Sequence, residues 1–265
     1  MKKITGLFIA MLLLLSSCGS VPLTGRRQVL LVSDQEVLSS SLTQYSDYMK
    51  SAKKSSSKDG AAMVTRVGKK IATATEQYLK NNGMESEIKN FAWEFNLVND
   101  PQVNAFCMPG GKIVVYEGLM QLVSSDDELA VVIGHEVAHA VAKHSNERMS
   151  QQLMAQYGAQ ILGQALSNKS AAVQQIGNSV YGLGAQYGVM LPFSRKHESE
   201  ADYMGLVFMA MAGYNPEVAV NFWQKMSAGK SGSTPEFMST HPSDATRINE
   251  IKQHLPEIEK YRAKK

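Results

Sequence analysis

The chain has 265 residues, a formal net charge of +3 and a composition that is 44% hydrophobic and 19% charged. This much apolar material can form a buried core, which excludes an intrinsically disordered chain, and two cysteines are too few for a disulfide-stapled scaffold. Lys2 and Lys3 lie in a segment that we expect to be removed, which lowers the formal charge of the mature chain to about +1. Because no basic excess is left to neutralise phosphates, no nucleic-acid partner is expected.

The first residues have the pattern of a targeting signal. Lys2-Lys3 precedes an apolar run over Ile4–Leu15, which suits a signal peptide and is too short to span a bilayer as a helix. The run ends in Leu15-Ser16-Ser17-Cys18, which resembles the bacterial lipobox. We therefore predict a signal peptide over residues 1–17 and lipidation of Cys18. The alternative is ordinary secretion, with cleavage just before that cysteine.

Lipidation would make residues 18–32 a lipid-anchored N-terminal segment. The residue after the cysteine is Gly19. By resemblance to enterobacterial lipoproteins, this glycine favours the outer membrane over the inner membrane. We therefore expect a protein of the bacterial cell envelope, anchored by its lipid to the outer membrane and facing the periplasm.

Capping and periodicity predict the elements of the body. Ser33-Asp34-Gln35-Glu36 and Ser125-Asp126-Asp127-Glu128 are capping boxes that begin two helices, and Pro109-Gly110-Gly111 separates the strands of a hairpin. In chain order the predicted elements are a helix to about Lys54, a helix over Ala61–Lys80, strands Phe91–Val98, Val103–Met108 and Lys112–Tyr116, a helix to about Lys143, and helices over Asn146–Leu166, Ala171–Gln186, Arg195–Met211, Pro216–Ala228 and Ser243–His254. They predict one α+β domain over residues 33–265, mostly helical, with a small antiparallel or mixed sheet.

The helix after Ser125 carries His135-Glu136-Val137-Ala138-His139, an H-E-x-x-H motif. Residues four apart lie on one face of a helix, so both imidazoles can reach one Zn²⁺. Glu136 stands beside them as the general base towards a zinc-activated water. The alternative, two surface histidines and a glutamate, is disfavoured because the helix is apolar around the motif.

A catalytic zinc takes three protein ligands and leaves one position open. The best third ligand lies downstream, where Glu198 and Asp202 share one helix face. We assign Glu198 to the zinc and Asp202 to a hydrogen bond that orients His135 or His139. Glu200 as the ligand and a merely solvated acidic face are the alternatives.

Five ordered motifs carry a resemblance to a known family. They are Pro22–Gln28 (PLTGRRQ), Val103–Gly111 (VNAFCMPGG), the H-E-x-x-H helix with His144 beyond it, Glu198-x-x-x-Asp202, and Thr240-His241-Pro242-Ser243 followed by Arg247. With these motifs the chain resembles the CaaX-prenyl-protease-type gluzincin metallopeptidases, in their bacterial lipoprotein branch of BepA-like and LoiP-like proteins. The resemblance implies a zincin-like endopeptidase with its sheet beside the zinc helix, one Zn²⁺ per chain and Glu198 as the third ligand. Because the sequence stops at Lys265, we expect no C-terminal repeat domain of the kind found in BepA-like members.

His241 has two candidate roles in the active site. It can donate a hydrogen bond to the oxyanion of the tetrahedral intermediate. As the resemblance to BepA-like proteins suggests, it can also bind the zinc as a fourth ligand and close the site. The alternative is a simple turn before a helix, with Arg247 pairing a carboxylate. Arg247 is otherwise placed with Asp202 in the shell around the ligands.

Two further residues have structural interpretations. His144 is rotated off the zinc face of the helix and is expected to be a cation at the helix end, favoured by the helix dipole. Cys107 is expected to be a small buried hydrophobe.

The hairpin upstream of the zinc helix is the candidate site for substrate. Metallopeptidases of this general class hold the substrate extended along a sheet edge, where backbone hydrogen bonds tolerate many sequences. We expect Asn104, Ala105 and Phe106 to lie on that edge strand. A turn-forming role is the alternative for Asn104.

These features predict a membrane-anchored, zinc-dependent endopeptidase that hydrolyses unfolded or misassembled envelope proteins. The enzyme part rests on residues, and the quality-control part rests on the resemblance. The alternative is a chaperone-like assembly factor for outer-membrane proteins with a mostly locked zinc site, for which the outer-membrane assembly machinery is a further candidate partner. A purely structural zinc protein is a third interpretation, against which Glu136 argues.

Overall fold

The computed structural model describes residues 18–168, 170–171, 174–175, 178, 191–228, 236–241 and 245–263. The predicted signal peptide, most of the predicted helix over 171–186 and the Pro242-Ser243 pair lie outside these ranges. Within the described ranges, no helix combines the length and the apolar character that crossing a membrane requires.

The described chain is mostly helical with a small mixed sheet, as predicted, and it also has a second, two-stranded sheet that was not predicted. Its strands are β1 Cys18–Ser20, β2 Arg27–Val29, β3 Glu94–Val98, β4 Ala105–Met108 and β5 Lys112–Tyr116. Its helices are α1 Asp34–Ser51, α2 Lys58–Asn81, α3 Glu85–Ile88, α4 Glu117–Met120, α5 Asp126–Val141, α6 His144–Leu166, α7 Leu191–Met211, α8 Val218–Ala228, α9 Glu236–Thr240 and α10 Ala245–Ile258, after which a 3₁₀ turn covers Glu259–Tyr261.

Side chains at the helix starts explain two of these boundaries. The capping box at Ser33 is complete, since its hydroxyl accepts from the backbone N–H of Glu36 and the Glu36 carboxylate accepts from the N–H of Ser33. The second box is only half formed. Ser125 accepts from the N–H of Glu128, but the Glu128 carboxylate accepts from the N–H of Ser124, one residue before the cap.

The larger sheet has the order β3–β5–β4 and is mixed, because β3 runs parallel to β5 and β4 runs antiparallel to it. The predicted hairpin is therefore confirmed. Its turn needs left-handed backbone at Gly110 (φ +93°) and Gly111 (φ +79°), which glycine adopts without steric cost. Because β5 is central, β4 lies at an edge of the sheet.

Helix α5 is the centre of the core. Twelve of its sixteen residues are buried, and it packs against α7, α2 and β4. It crosses α7 at Gly134 and Gly205, where a Cβ added to Gly205 would lie 2.7 Å from the backbone nitrogen of His135. The two backbones therefore touch, and the residues on either side of the crossing face one another across the helix pair.

The chain breaks sharply between α5 and α6. Lys143 has a left-handed backbone (φ +57°), which costs a residue with a Cβ roughly 1–2 kcal/mol. Its ammonium group bonds to Asp34 at 2.6 Å and to Glu87 at 2.9 Å. These ion pairs hold the break, and α6 starts at His144 in a new direction.

The N-terminal segment lies against the first turns of α6. β1 and β2 form an antiparallel pair, and the backbone N–H of Leu31 donates to Ser150 Oγ at 2.8 Å. The chain between the two strands turns through Leu23 and Gly25, both with positive φ.

Candidate metal centre

Four predicted site residues converge at the crossing of α5 and α7. His135, His139, Glu198 and His241 each offer one ligand atom, and these atoms all lie within 4.8 Å of one another. His135 Nε2 lies 3.1 Å from His139 Nε2 and 3.2 Å from Glu198 Oε2. His241 Nδ1 lies 3.3 Å from His135 Nε2 and 3.1 Å from both Glu198 oxygens.

The donor set fits zinc. A tetrahedral ion with bonds of about 2.0–2.1 Å to nitrogen and oxygen has ligand atoms about 3.3 Å apart, which matches these separations. Asp202 accepts from His135 Nδ1, and His135 Nε2 faces a carboxylate oxygen of Glu198. Burial lowers the pKa of His135, but these two carboxylates outweigh it and raise that pKa to about 9. The pair of carboxylates therefore favours a positive charge at this point, as a proton or as a metal ion.

Asp202 and Arg247 lie behind His135. Asp202 Oδ1 is 3.0 Å from His135 Nδ1 and thereby fixes the ring tautomer. Arg247 donates to Asp202 through Nε at 2.8 Å and Nη2 at 2.9 Å, and its Nη1 lies 3.2 Å from Glu198 Oε2. Burial raises the pKa of Asp202, but the Arg247 guanidinium and His135 outweigh it and hold that pKa below its usual value.

Glu136 is buried beside the donor cluster. Its Oε2 accepts from the backbone N–H of Cys107 on β4 at 3.2 Å. Its buried Oε1 accepts no hydrogen bond within the described part of the chain, and it lies 3.4 Å from His241 Nε2. Burial raises the pKa of this carboxyl, which makes it a better proton acceptor than an exposed glutamate.

His241 is held at the cluster by α9. Its backbone N–H donates to Phe237 O at 2.8 Å, and its ring stacks on the Phe237 ring with 4.6 Å between centroids. The backbone N–H of Phe237 donates in turn to Val103 O at 3.0 Å, just before β4. His241 therefore belongs to the cluster and not to a simple turn.

The prediction of His144 as a cation at the helix end is wrong. Its side chain is buried, and its Nδ1 lies 2.9 Å from His139 Nδ1. The rotation argument assumed one continuous helix, whereas the break at Lys143 turns the ring back towards the cluster. Burial lowers the pKa of His144 well below its usual value, which keeps the ring neutral.

The other predicted residues fall into three places. Asn104, Ala105 and Phe106 lie at or on β4, where Asn104 Oδ1 accepts from the N–H of Ala105 at 2.9 Å. Cys107 is partly buried on the same strand, and burial raises the pKa of its thiol. Cys18 lies in β1, and its lipidation stays a prediction.

Glu200 faces away from the donor cluster and belongs to a charged group that sequence reasoning missed. Its carboxylate lies 3.0 Å from His144 Nε2 and accepts from Arg26 Nε at 2.9 Å. Arg26 also binds both oxygens of Glu147, and Glu147 Oε2 lies 2.8 Å from His197 Nε2. The PLTGRRQ motif drew attention to this segment, but the sequence alone did not show which residues Arg26 would contact.

Comparisons with known proteins identify the family. The model of peptidase family M48 matches residues 66–255. The mitochondrial metalloendopeptidase OMA1 of Schizosaccharomyces pombe is 37% identical over 179 residues, which cover 66% of this chain and 50% of that protein. Human OMA1 is 27% identical over 91% of this chain, and the β-barrel assembly-enhancing protease of Yersinia pestis is 33% identical over 61% of it.

The chain belongs to peptidase family M48, a family of zinc-dependent gluzincin metallopeptidases. It spans about half or less of the length of these relatives: 50% of the fission yeast protein, 46% of the human one and 36% of the Yersinia one.

The comparisons overturn the predicted location. Relatives described as mitochondrial come from fission yeast, Arabidopsis, budding yeast, zebrafish, cattle and human. The fission yeast and Arabidopsis proteins are 37% and 40% identical, against 33% and 26% for the proteases of Yersinia and Escherichia coli. The expectation of a bacterial outer-membrane protein, which rested on the leader and Gly19, is therefore wrong.

Proposed function

We propose that this protein is a zinc-dependent endopeptidase that hydrolyses peptide bonds of unfolded or misassembled proteins. The observation that carries the proposal is the convergence of four buried or half-buried donors on one point, with Glu136 beside them. A structural zinc site has no use for a carboxylate in that place, because the carboxylate adds a buried charge without closing the metal's coordination.

His135, His139 and Glu198 hold the metal in this proposal. Burial lowers the pKa of His139 well below its usual value, so the ring is neutral and free to ligate. Zinc bound there supplies Lewis-acid chemistry, which polarises a carbonyl and lowers the pKa of water.

Glu136 is the general base. Its Oε1 takes the proton of the attacking water and later passes it to the leaving amine, while Oε2 keeps its hydrogen bond to the Cys107 amide. The raised pKa of the buried carboxyl suits both transfers, because a strongly acidic group would release a proton too readily to retain it.

His241 closes the site in the arrangement described here. Its Nδ1 occupies the corner of the donor set that a substrate or water needs, 3.1 Å from Glu198. Movement of α9, which holds His241 through Phe237, would open that corner. We assign His241 this closing role in preference to oxyanion stabilisation, for which its ring would have to leave the cluster.

The edge strand β4 is the proposed site for an extended substrate. It lies at the end of the sheet order and its backbone touches the proposed base at Cys107. A groove beside His139 continues from the turn of the hairpin. Val37, Leu38 and Phe91 form its apolar part, and the ion pairs of Lys143 with Asp34 and Glu87 line the rest. Such a groove suits a substrate side chain, while the strand holds its backbone.

Cleavage of casein by the full chain tests the proposal. Wild type, Glu136→Gln and the exposed control Glu85→Gln are compared at equal zinc content. We expect cleavage by wild type and control, and a loss of about 10²–10⁴-fold in Glu136→Gln. Equal cleavage by all three would refute the assignment of the base.

A locked assembly factor is the second candidate, and the position of His241 inside the donor set favours it. The Yersinia relative is described as assembly-enhancing as well as a protease. His241→Ala separates the candidates. A large rise in casein cleavage indicates an enzyme that rests closed, whereas no cleavage by any zinc-loaded variant indicates a binding function that Glu136→Gln leaves intact.

A further inference from the structure

A chain of three buried side chains runs outward from His139. His139 Nδ1 lies 2.9 Å from His144 Nδ1, and His144 Nε2 lies 3.0 Å from Glu200 Oε2. All three residues are at most 9% exposed. The chain therefore connects a proposed metal ligand on α5 with a carboxylate on α7 through the first residue of α6.

The ring protons of His144 and His139 can be assigned by starting from Glu200, at the outer end of this chain of side chains. A carboxylate only accepts, so His144 Nε2 carries a proton and donates it to Glu200. A hydrogen bond between the two Nδ1 atoms needs one donor and one acceptor, and with the His144 ring proton on Nε2 its Nδ1 accepts from His139 Nδ1–H. His139 Nε2 then carries no proton, and its lone pair points into the donor cluster, where it lies 3.1 Å from His135 Nε2.

Arg26 completes this chain from the N-terminal segment. Its Nε donates to Glu200 Oε2 at 2.9 Å, and its Nη1 and Nη2 bind the two oxygens of Glu147 at 2.8 and 2.7 Å. The hydroxyl of Thr24 also donates to Glu200. One guanidinium thus offsets two buried carboxylates, and without it Glu200 would be a buried charge with fewer donors.

We propose that Arg26 and His144 are positioning residues for the metal, acting through Glu200 and His139. In this view the segment Val21–Val29 is part of the metal centre, although it lies about 100 residues before the helix that carries the H-E-x-x-H motif. The inference rests on the proposed function only in taking His139 as a zinc ligand. It adds a second outer partner to the site, opposite the Asp202 that orients His135.

Zinc affinity of the full chain, measured by competition with a chromophoric chelator, tests the proposal. His144→Phe keeps a ring of similar shape and loses both hydrogen bonds, so we expect zinc to bind about 10–100-fold more weakly. His144→Gln restores an acceptor and a donor and should recover part of that loss. A purely space-filling role for His144 would give the reverse order.

Arg26→Gln has a matched control in Arg27→Gln, the same change one residue later, at the exposed first residue of β2. We expect weaker zinc binding, towards the tenfold end of that range, in Arg26→Gln and wild-type binding in Arg27→Gln. This pair decides the question if His144→Phe fails to fold, as judged by thermal unfolding without metal. Equal zinc affinity in Arg26→Gln, His144→Gln and wild type would overturn the proposal.

Cobalt substitution gives a readout that loss of stability alone would not change. The visible absorption of bound Co²⁺ reports ligand geometry, so a shifted band in His144→Phe and a wild-type band in Arg27→Gln support positioning of His139. An unchanged band in His144→Phe contradicts it. Failure of the proposed function is recognised separately: a wild type that binds zinc and cleaves no casein leaves the affinity series still decisive for Arg26 and His144.

Discussion

His135 and His139 each use one ring nitrogen inside the donor cluster and the other outside it. The outer nitrogen of His135 meets Asp202 at 3.0 Å, and that of His139 meets His144 at 2.9 Å. The outer partners differ in charge: a carboxylate held by Arg247 in one case and a neutral ring in the other. Because a carboxylate raises the basicity of its histidine, His135 should be the stronger of the two ligands.

Asp202→Asn tests, at the scale of single residues, whether Asp202 orients the His135 ring. An amide at position 202 pairs poorly with Arg247 and can donate to His135 Nδ1, which would place the ring proton on the wrong nitrogen. We expect zinc to bind about 10–100-fold more weakly, measured by chelator competition. Asp59→Asn, the same change at an exposed residue in the first turn of α2, is the control. Zinc binding as tight as in wild type would show that Asp202 does not orient the ring.

The helix pair α5–α7 positions the cluster at the scale of elements. Gly134 and Gly205 let the two backbones touch, since a Cβ on Gly134 would lie 2.8 Å from Gly205 O. This close approach brings the histidines of α5 within reach of Glu198 and Asp202, which precede Gly205 on α7. A wider crossing would separate the donors by more than a single ion can bridge.

Gly205→Ala should therefore disturb both the fold and the site. The added methyl meets backbone rather than a flexible side chain, so we expect a loss of about 1–3 kcal/mol in the free energy of unfolding, with weaker zinc binding. The control is Gly163→Ala on α6, where the added methyl meets open space and should stabilise by about 0.5–1 kcal/mol. Urea unfolding of the metal-free proteins measures the free energy of unfolding of both variants. Equal stability of the two variants would contradict the close crossing.

Much of the site follows from helical spacing, and the remainder depends on how helices are joined. His135, His139, Glu198 and Asp202 are related by steps of four within single helices, so the sequence predicts their shared faces. Spacing on one helix misplaced His144, because the left-handed backbone at Lys143 depends on ion pairs with side chains far away in sequence.

The contacts of Arg26 could not be predicted from the sequence for the same physical reason. Its partners lie 121 and 174 residues further on, and only the folded chain brings them together. Among the elements, the hairpin and most helices were predicted within a few residues. The strand predicted from Phe91 begins instead at Glu94, where pairing with Lys112 on β5 begins.

At the scale of the whole molecule, Arg26 ties the N-terminal segment to α6 and α7. Burial raises the pKa of Glu147, but hydrogen bonds from Arg26 and His197 outweigh it and lower that pKa to about 2. The folded protein thus holds this carboxylate ionised in acid that protonates it in the unfolded chain. The ion pair stabilises the fold fully above the ordinary pKa of glutamate, and this stabilisation is lost as the pH falls towards 2.

Metal-free wild type should accordingly lose stability between about pH 5 and pH 2 more steeply than Glu147→Gln. The difference between the two profiles should reach at most about 3 kcal/mol, because a shift of one pKa unit is worth about 1.4 kcal/mol. Urea unfolding across this pH range measures it. Parallel profiles would show that the ion pair with Arg26 adds nothing to the stability of the fold.

The hydrogen bonds made by the outer side of β4 also affect how two molecules of this protein can associate. An unpaired strand at a sheet edge is a template on which another chain can add a strand, and this is a common route to aggregation. Here the amide of Cys107 is taken by Glu136, the amide of Ala105 by Asn104, and the carbonyl of Val103 by the amide of Phe237. The bond from Phe237, whose helix also holds His241 in the donor cluster, is therefore one of three that protect the edge against strand exchange between molecules, and opening the site for a substrate would free the Val103 carbonyl.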